Sequence, residues 1–135
     1  MWLKKYINLL TKVEFVTNLQ SLKEFQILLQ QNEIINYFYC NKLLKNSIHV
    51  DHFIPWSQND LLWNFVLACP SCNTNKNDKL AIEIYLENLI TRNEQLKSIE
   101  SLHKQFEDYN SSKLEKLYGA KNNGLIWDWA PSIIY

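Results

Sequence analysis

Between Ile48 and Lys76 the chain sets two short apolar runs around a polar turn and follows the second with Cys69-Pro70-Ser71-Cys72. Few local folds accommodate that order. The run Ile48 to Phe53 is too short for a stable helix, lies between Asn46-Ser47 and Pro55, and reads as a strand. Ser57-Gln58-Asn59-Asp60 is turn chemistry. Phe65 to Ala68 is a second short strand, and Pro70 suits the first position of a helix, where its missing N–H would have had no partner anyway. The expectation is strand, loop, strand, helix.

The flanks read as helical. Ser21 followed by Glu24 fits a capping box, and Leu22, Phe25, Leu28 and Leu29 repeat at helical spacing, which predicts a helix over 21–34. A shorter helix is expected over 2–10, and Thr11 to Asn18 reads as a strand or a turn between helices. Tyr37 to Cys40 is aromatic and should pack where the helical part meets the core. Another helix is expected from near Leu80. The stripe Leu86, Leu89, Ile90, Leu96, Ile99, Leu102, Phe106 carries it towards Tyr109, with room for a break. Leu114, Leu117 and Tyr118 add a turn or two that Gly119 is placed to end. Asn122-Asn123-Gly124 is a turn, and the apolar tail from Leu125 to Tyr135 is either strapped across the helices or free to dock. The fold class expected is α+β, in one domain over 1–135. A small ββα core at about 47–79 sits between an N-terminal helical segment (1–46) and a C-terminal helical layer and tail (80–135).

Fourteen basic and fourteen acidic residues cancel, so any grip on a polyanion must come from a local patch. Lys42, Lys45, Lys76 and Lys79 flank the core, whereas Glu83, Glu87, Glu94 and Glu100 lie beyond it. Arg92 is the sole arginine, which excludes guanine reading by many arginines. No apolar run approaches membrane-spanning length, and polar residues interrupt the basic start. The cytoplasm is the expected compartment, with no membrane partner.

Within the core lie Asp51-His52 at the end of the first strand, Asn64 before the second, Asn73 after Cys72, and Lys76. Hydrolysing a phosphodiester needs a base that works near neutral pH and positive charge at the phosphate. Imidazole, with an ordinary pKa of about 6.5, supplies the first. A carboxylate and an amide carbonyl are hard oxygen donors suited to magnesium or manganese. The constellation resembles the HNH endonuclease signature of the ββα-metal (His-Me finger) nucleases. Phe53-Ile54-Pro55-Trp56 and Trp63-Asn64 look like a bacterial subgroup of that family. The resemblance covers residues 48–79 and implies metal-dependent hydrolysis of DNA. On that reading His52 activates water, while Asp51 and Asn73 hold one divalent ion, Mg2+ or Mn2+. Asn64 bridges the loop and orients His52, and Lys76 contacts a phosphate. Many relatives carry histidine where this chain has Asn73. With little room for a separate reading domain, the expectation is low sequence specificity, a homodimer, or a recognition subunit. Restriction, phage defence, mobile elements and repair all remain open.

Competing readings accompany each residue. In a regular strand Asp51 and His52 point to opposite faces, so serving one phosphate requires the strand to end or bend, which Pro55 favours. His49 shares a face with Asp51 and reads as a packed histidine before a supporting one; His103 reads as surface. Lys79 reads as a solvated helix lysine. Trp56 and Trp63 anchor the loop or stack on bases, anchoring being the commoner use of tryptophan. Cys69 and Cys72 form one CxxC pair, and the family's structural zinc uses two. Cys40 aligns with one member of the other pair, and Tyr37 stands at the fourth position. Three buried, reduced thiols are the favoured reading; a zinc on Cys40, Cys69 and Cys72, completed by His49 or water, is the alternative. Two further functions stay open: a non-catalytic nucleic-acid-binding module of the same fold, and a ribonuclease or toxin-like nuclease.

Overall fold

The computed structural model describes residues 22–55, 61–122 and 128–132. The expected helix over 2–10, the segment 11–18, the Ser21 cap, Trp56, the turn 57–60 and Asn123-Gly124 lie outside them. The chain divides into two compact units, Met1–Ile34 and Ile35–Tyr135.

In the first unit a helix, α1, covers 22–31, shorter than the sequence pattern suggests. Its end is closed locally. The Asn32 side chain donates to Leu28 O at 2.7 Å, and Ile34 N–H reaches back to Leu29 O at 3.2 Å. Glu33 takes a left-handed φ of 68°, which turns the chain out of the helix.

The second unit opens with a hairpin. Residues 35–46, grouped above with the N-terminal helical segment, are not helical. Asn36 bridges Leu43, Tyr37 N–H donates to Lys42 O at 2.8 Å, and Asn41 turns the chain at φ 61°. The reason is side-chain chemistry. The Tyr37 hydroxyl donates to Ser47 O at 2.6 Å and accepts from Lys45 N–H at 3.1 Å, tying a loop that a helix could not form. Phe38 N–H then docks on Leu67 O at 2.8 Å.

Strands β1 (His49–His52) and β2 (Phe65–Ala68) pair antiparallel, with His49 opposite Ala68 and His52 opposite Phe65. A single 3-10 turn, Leu62–Asn64, leads into β2, and α2 (Pro70–Lys76) follows. Cys69 caps α2, its Sγ accepting from Cys72 N–H at 3.3 Å, with Pro70 at the first position. The mixed helix and strand architecture with this ββα core is the expected α+β class.

Beyond α2 the sequence pattern misplaces two boundaries. Leu80–Ala81 is not the start of a helix but a strand, β3, and α3 runs Glu83–Lys97. Both β3 residues are fully buried, and β3 pairs parallel with β4 (Asp128–Trp129), which straps this part of the tail to the unit. A 3-10 segment, Glu100–Phe106, succeeds α3, and α4 (Ser111–Asn122) is capped by Asn110 Oδ1 accepting from Lys113 N–H at 2.7 Å. Gly119 does not end α4. It lacks a left-handed φ and the helix passes through it. Phe53, Phe65, Val66, Leu67, Leu80, Leu89, Leu102 and Leu114 form a core with 1% exposure or less. Behind the hairpin, Tyr39 stacks on Phe53 and meets Trp129 edge-on at 5.0 Å.

Candidate active site

Helix α2 packs on strand β1, where His49 and Asp51, two apart on one strand face, meet Asn73 and Lys76, three apart on the helix. Asn73 Nδ2 lies 2.9 Å from His49 Nδ1, and Lys76 Nζ lies 3.2 Å from Asp51 Oδ2. With the amide donating, His49 accepts on Nδ1 and carries its proton on Nε2, while Asn73 Oδ1 is turned away from the pair.

Asp51 is 8% exposed, and its Oδ2 also accepts from the Tyr39 hydroxyl at 2.7 Å. The Lys76 side chain is 0% exposed; its ammonium also donates to His52 O at 3.1 Å and lies 5.8 Å from the centre of the Tyr39 ring. Burial pulls the Lys76 amine below its usual range, and the neighbouring Asp51 carboxylate pushes it back up. Burial and the same carboxylate hold the Tyr39 phenol well above 10, so it stays a donor. Lys76, expected at a phosphate, is thus spent inside the protein. It has no surface to present.

His52 lies on the other side of β1. Its ring is half-exposed and packs at 4.6 Å, tilted, on Phe65, its cross-strand neighbour. The strand stays regular through Asp51 and His52, so the two side chains diverge as alternation dictates. The loop beyond is held by Asn64, which is 1% exposed. Its Oδ1 accepts from Ile54 N–H at 2.9 Å, its Nδ2 donates to Ile54 O at 3.2 Å, and its carbonyl accepts from Phe53 N–H at 2.8 Å. Three bonds to the two residues after His52 fix where β1 ends.

The three cysteines converge. Their sulfur atoms all lie within 4.8 Å of one another. Only Cys72 is buried, whereas Cys40 and Cys69 are half-exposed, which corrects the expectation of three buried thiols. Burial and the two neighbouring thiols push Cys72 up to about 12. Burial also raises Cys69, but the backbone N–H of Cys72, its thiol, the Cys40 thiol and Ser71 N–H outweigh it and leave Cys69 lowered. Of the candidates for a fourth ligand, the Tyr37 hydroxyl is committed to Ser47 and Lys45, and His49 Nδ1 to Asn73.

The segment that carries these arrangements, residues 38–79, matches the family model for HNH endonuclease. The chain carries an HNH segment. No significant match was found among curated proteins or among solved structures. HNH segments go with nuclease activity in general, and the cysteine cluster inside this one is a site where a metal ion could be held. Among the described residues no helix is long and apolar enough to cross a membrane.

Other positions around the HNH segment resolve simply. Trp63 is 3% exposed with its ring 5.8 Å from that of Tyr109, an anchor without a face for bases. His103 and Lys79 are exposed, as are Lys42 and Lys45. Sequence reasoning missed Tyr39, whose position in an aromatic run gives no hint of its bond to Asp51. It also took Arg92 only as the sole arginine, without a structural role, and passed over Asn93. A charged residue three after Leu89 and four before Leu96 sits on the buried stripe, and that spacing was a readable signal.

Proposed function

We propose that the protein is a metal-dependent endonuclease that hydrolyses DNA phosphodiester bonds, with His52 as general base and one divalent ion held by Asp51 and Asn73. What supports this reading is the HNH endonuclease match over residues 38–79, together with α2 set against β1 so that Asn73 meets His49 and Lys76 meets Asp51. His52 is the last residue of β1 and diverges from Asp51, so the reading requires the imidazole and the ion to meet around that strand end. The donors suit magnesium or manganese. The internal bonds of Asp51 fall on Oδ2 and those of Asn73 on Nδ2, so each has its other oxygen to offer. A bound divalent ion would supply positive charge at the scissile phosphate. His52 takes the proton of the attacking water, while the Asn64 bonds to Phe53 and Ile54 keep its strand end in place. Phosphate contacts pass to the exposed Lys42, Lys45 and Lys79 in place of Lys76.

A structural zinc on Cys40, Cys69 and Cys72 belongs to the same reading. Three thiolates within 4.8 Å supply three of four tetrahedral positions, and half-exposure of Cys40 and Cys69 leaves the fourth to water. The fold would act in the cytoplasm, alone, as a homodimer, or with a recognition subunit.

One observation favours the binding-module alternative: Asp51 already has an internal cation in Lys76. Incubating the protein with supercoiled plasmid and Mg2+ or Mn2+, beside His52→Ala, decides between them. Nicked or linear DNA from wild type alone is the expected result, and intact DNA from both across metals and pH favours the binder. Matched DNA and RNA substrates separate the deoxyribonuclease from a ribonuclease or toxin-like enzyme.

A further inference from the structure

The chain's single guanidinium is buried, and among the described residues none of its hydrogen-bond partners is a carboxylate. Arg92, on α3, is 9% exposed. Its Nη1 donates to Phe65 O, and its Nη2 to Leu62 O at 3.2 Å and to Asn93 Oδ1 at 2.8 Å. Asn93, 0% exposed, donates from Nδ2 to Trp63 O at 2.9 Å. Taking a cation out of water carries a heavy desolvation penalty. A purely apolar helix face would pack α3 against this segment without that cost. The polar pair must therefore do something that leucines would not.

What it does is read a row of carbonyls. Leu62, Trp63 and Phe65 are the residues on either side of Asn64, and all three of their carbonyls are taken by Arg92 and Asn93. The carbonyl left out, that of Asn64, is the one that accepts from Phe53 N–H. The same turn is thus gripped from behind by α3 while its asparagine grips Ile54 in front. Both residues lie outside 38–79, so the matched family segment does not contain its own support.

We infer that Arg92 and Asn93 are positioning residues for His52: they fix the 62–65 carbonyl row so that Asn64 can hold Phe53 and Ile54 in register. The inference deepens the nuclease reading in its consequence for His52, but the grip on the loop stands without it.

Backbone hydrogen exchange tests it in Arg92→Met and, separately, Asn93→Leu, on the full chain. Loss of the grip should speed exchange of Ile54 N–H and Phe53 N–H at least about tenfold more than that of the β1–β2 ladder amides, as a local opening does. Arg92→Lys, with its charge but no fork, should restore exchange only in part. In a plasmid assay kcat should fall with KM little changed, since binding surfaces are untouched. Uniform acceleration of all these amides, or no change at Ile54 in either variant, overturns the inference. If Arg92→Met does not fold, Asn93→Leu alone decides. Selective loosening at Ile54 in a protein whose wild type cuts no DNA sinks the nuclease reading and leaves the grip standing.

Discussion

Lys76 Nζ lies 3.2 Å from Asp51 Oδ2 with the lysine side chain wholly out of solvent. Removing one partner of such a pair strands the other. Lys76→Met should destabilise the protein by about 3–5 kcal/mol in urea unfolding. The double variant Lys76→Met/Asp51→Asn should recover part of that loss. Equal stability of Lys76→Met and wild type would show that the pair is not formed.

The pair also bears on the metal. One carboxylate offset by one ammonium leaves no net charge for a divalent ion to meet, so affinity in the absence of DNA should be weak. Exposing the Asp51 charge should raise it. Mn2+ should then lift the melting temperature of Lys76→Met more than that of wild type. No difference, measured at several Mn2+ concentrations, removes Asp51 as a ligand.

Asn64 and Asn73 should separate cleanly. Asn64→Ala leaves the N–H and C=O of Ile54 unpaired in a buried place and should cost about 2–4 kcal/mol. Asn73→Ala loses one half-buried bond to His49 and should cost about 1 kcal/mol, while abolishing divalent binding by calorimetry. Unaltered binding in Asn73→Ala would deny its ligand role.

His52 is half-exposed, so His52→Ala should leave stability within about 1 kcal/mol of wild type. Cleavage should nonetheless fall by about 10²–10⁴, the usual worth of a general base. Activity that survives the change would move the base elsewhere.

The thiols should be ordered in reactivity. Cys69, with its pKa lowered, holds more thiolate at neutral pH than Cys72, pushed up to about 12. Iodoacetamide should therefore label Cys69 well before Cys72 in metal-free protein, and the gap should narrow as pH rises. Zinc added first should protect both, with one ion bound per chain. Labelling that ignores zinc would rule out the metal.

The core was readable because its grammar is local. Pro70 and the apolar run Phe65 to Ala68 each act within a few residues, and the ββα order follows from them. What was not readable depends on contacts far along the chain. Nothing near Leu80-Ala81 signals a strand, because its partner is Asp128-Trp129. Gly119 reads as a stop only if the helix behind it needs one. Lys76 reads as a surface lysine until Tyr39, from the hairpin, and Asp51 close over it. Tyr37 reads as a lost cysteine, whereas its hydroxyl ties the loop that the cysteine pair would have tied through metal.

The parallel contact between Leu80-Ala81 and Asp128-Trp129 joins segments separated by two helices and a 3-10 segment. Closing so long a stretch of polypeptide is entropically slow, whereas β1, β2 and α2 are neighbours in the chain. The ordering of assembly that follows is nuclear ββα first and terminal strap last. Substitutions at Trp129 should accordingly hasten unfolding while leaving the refolding rate nearly untouched.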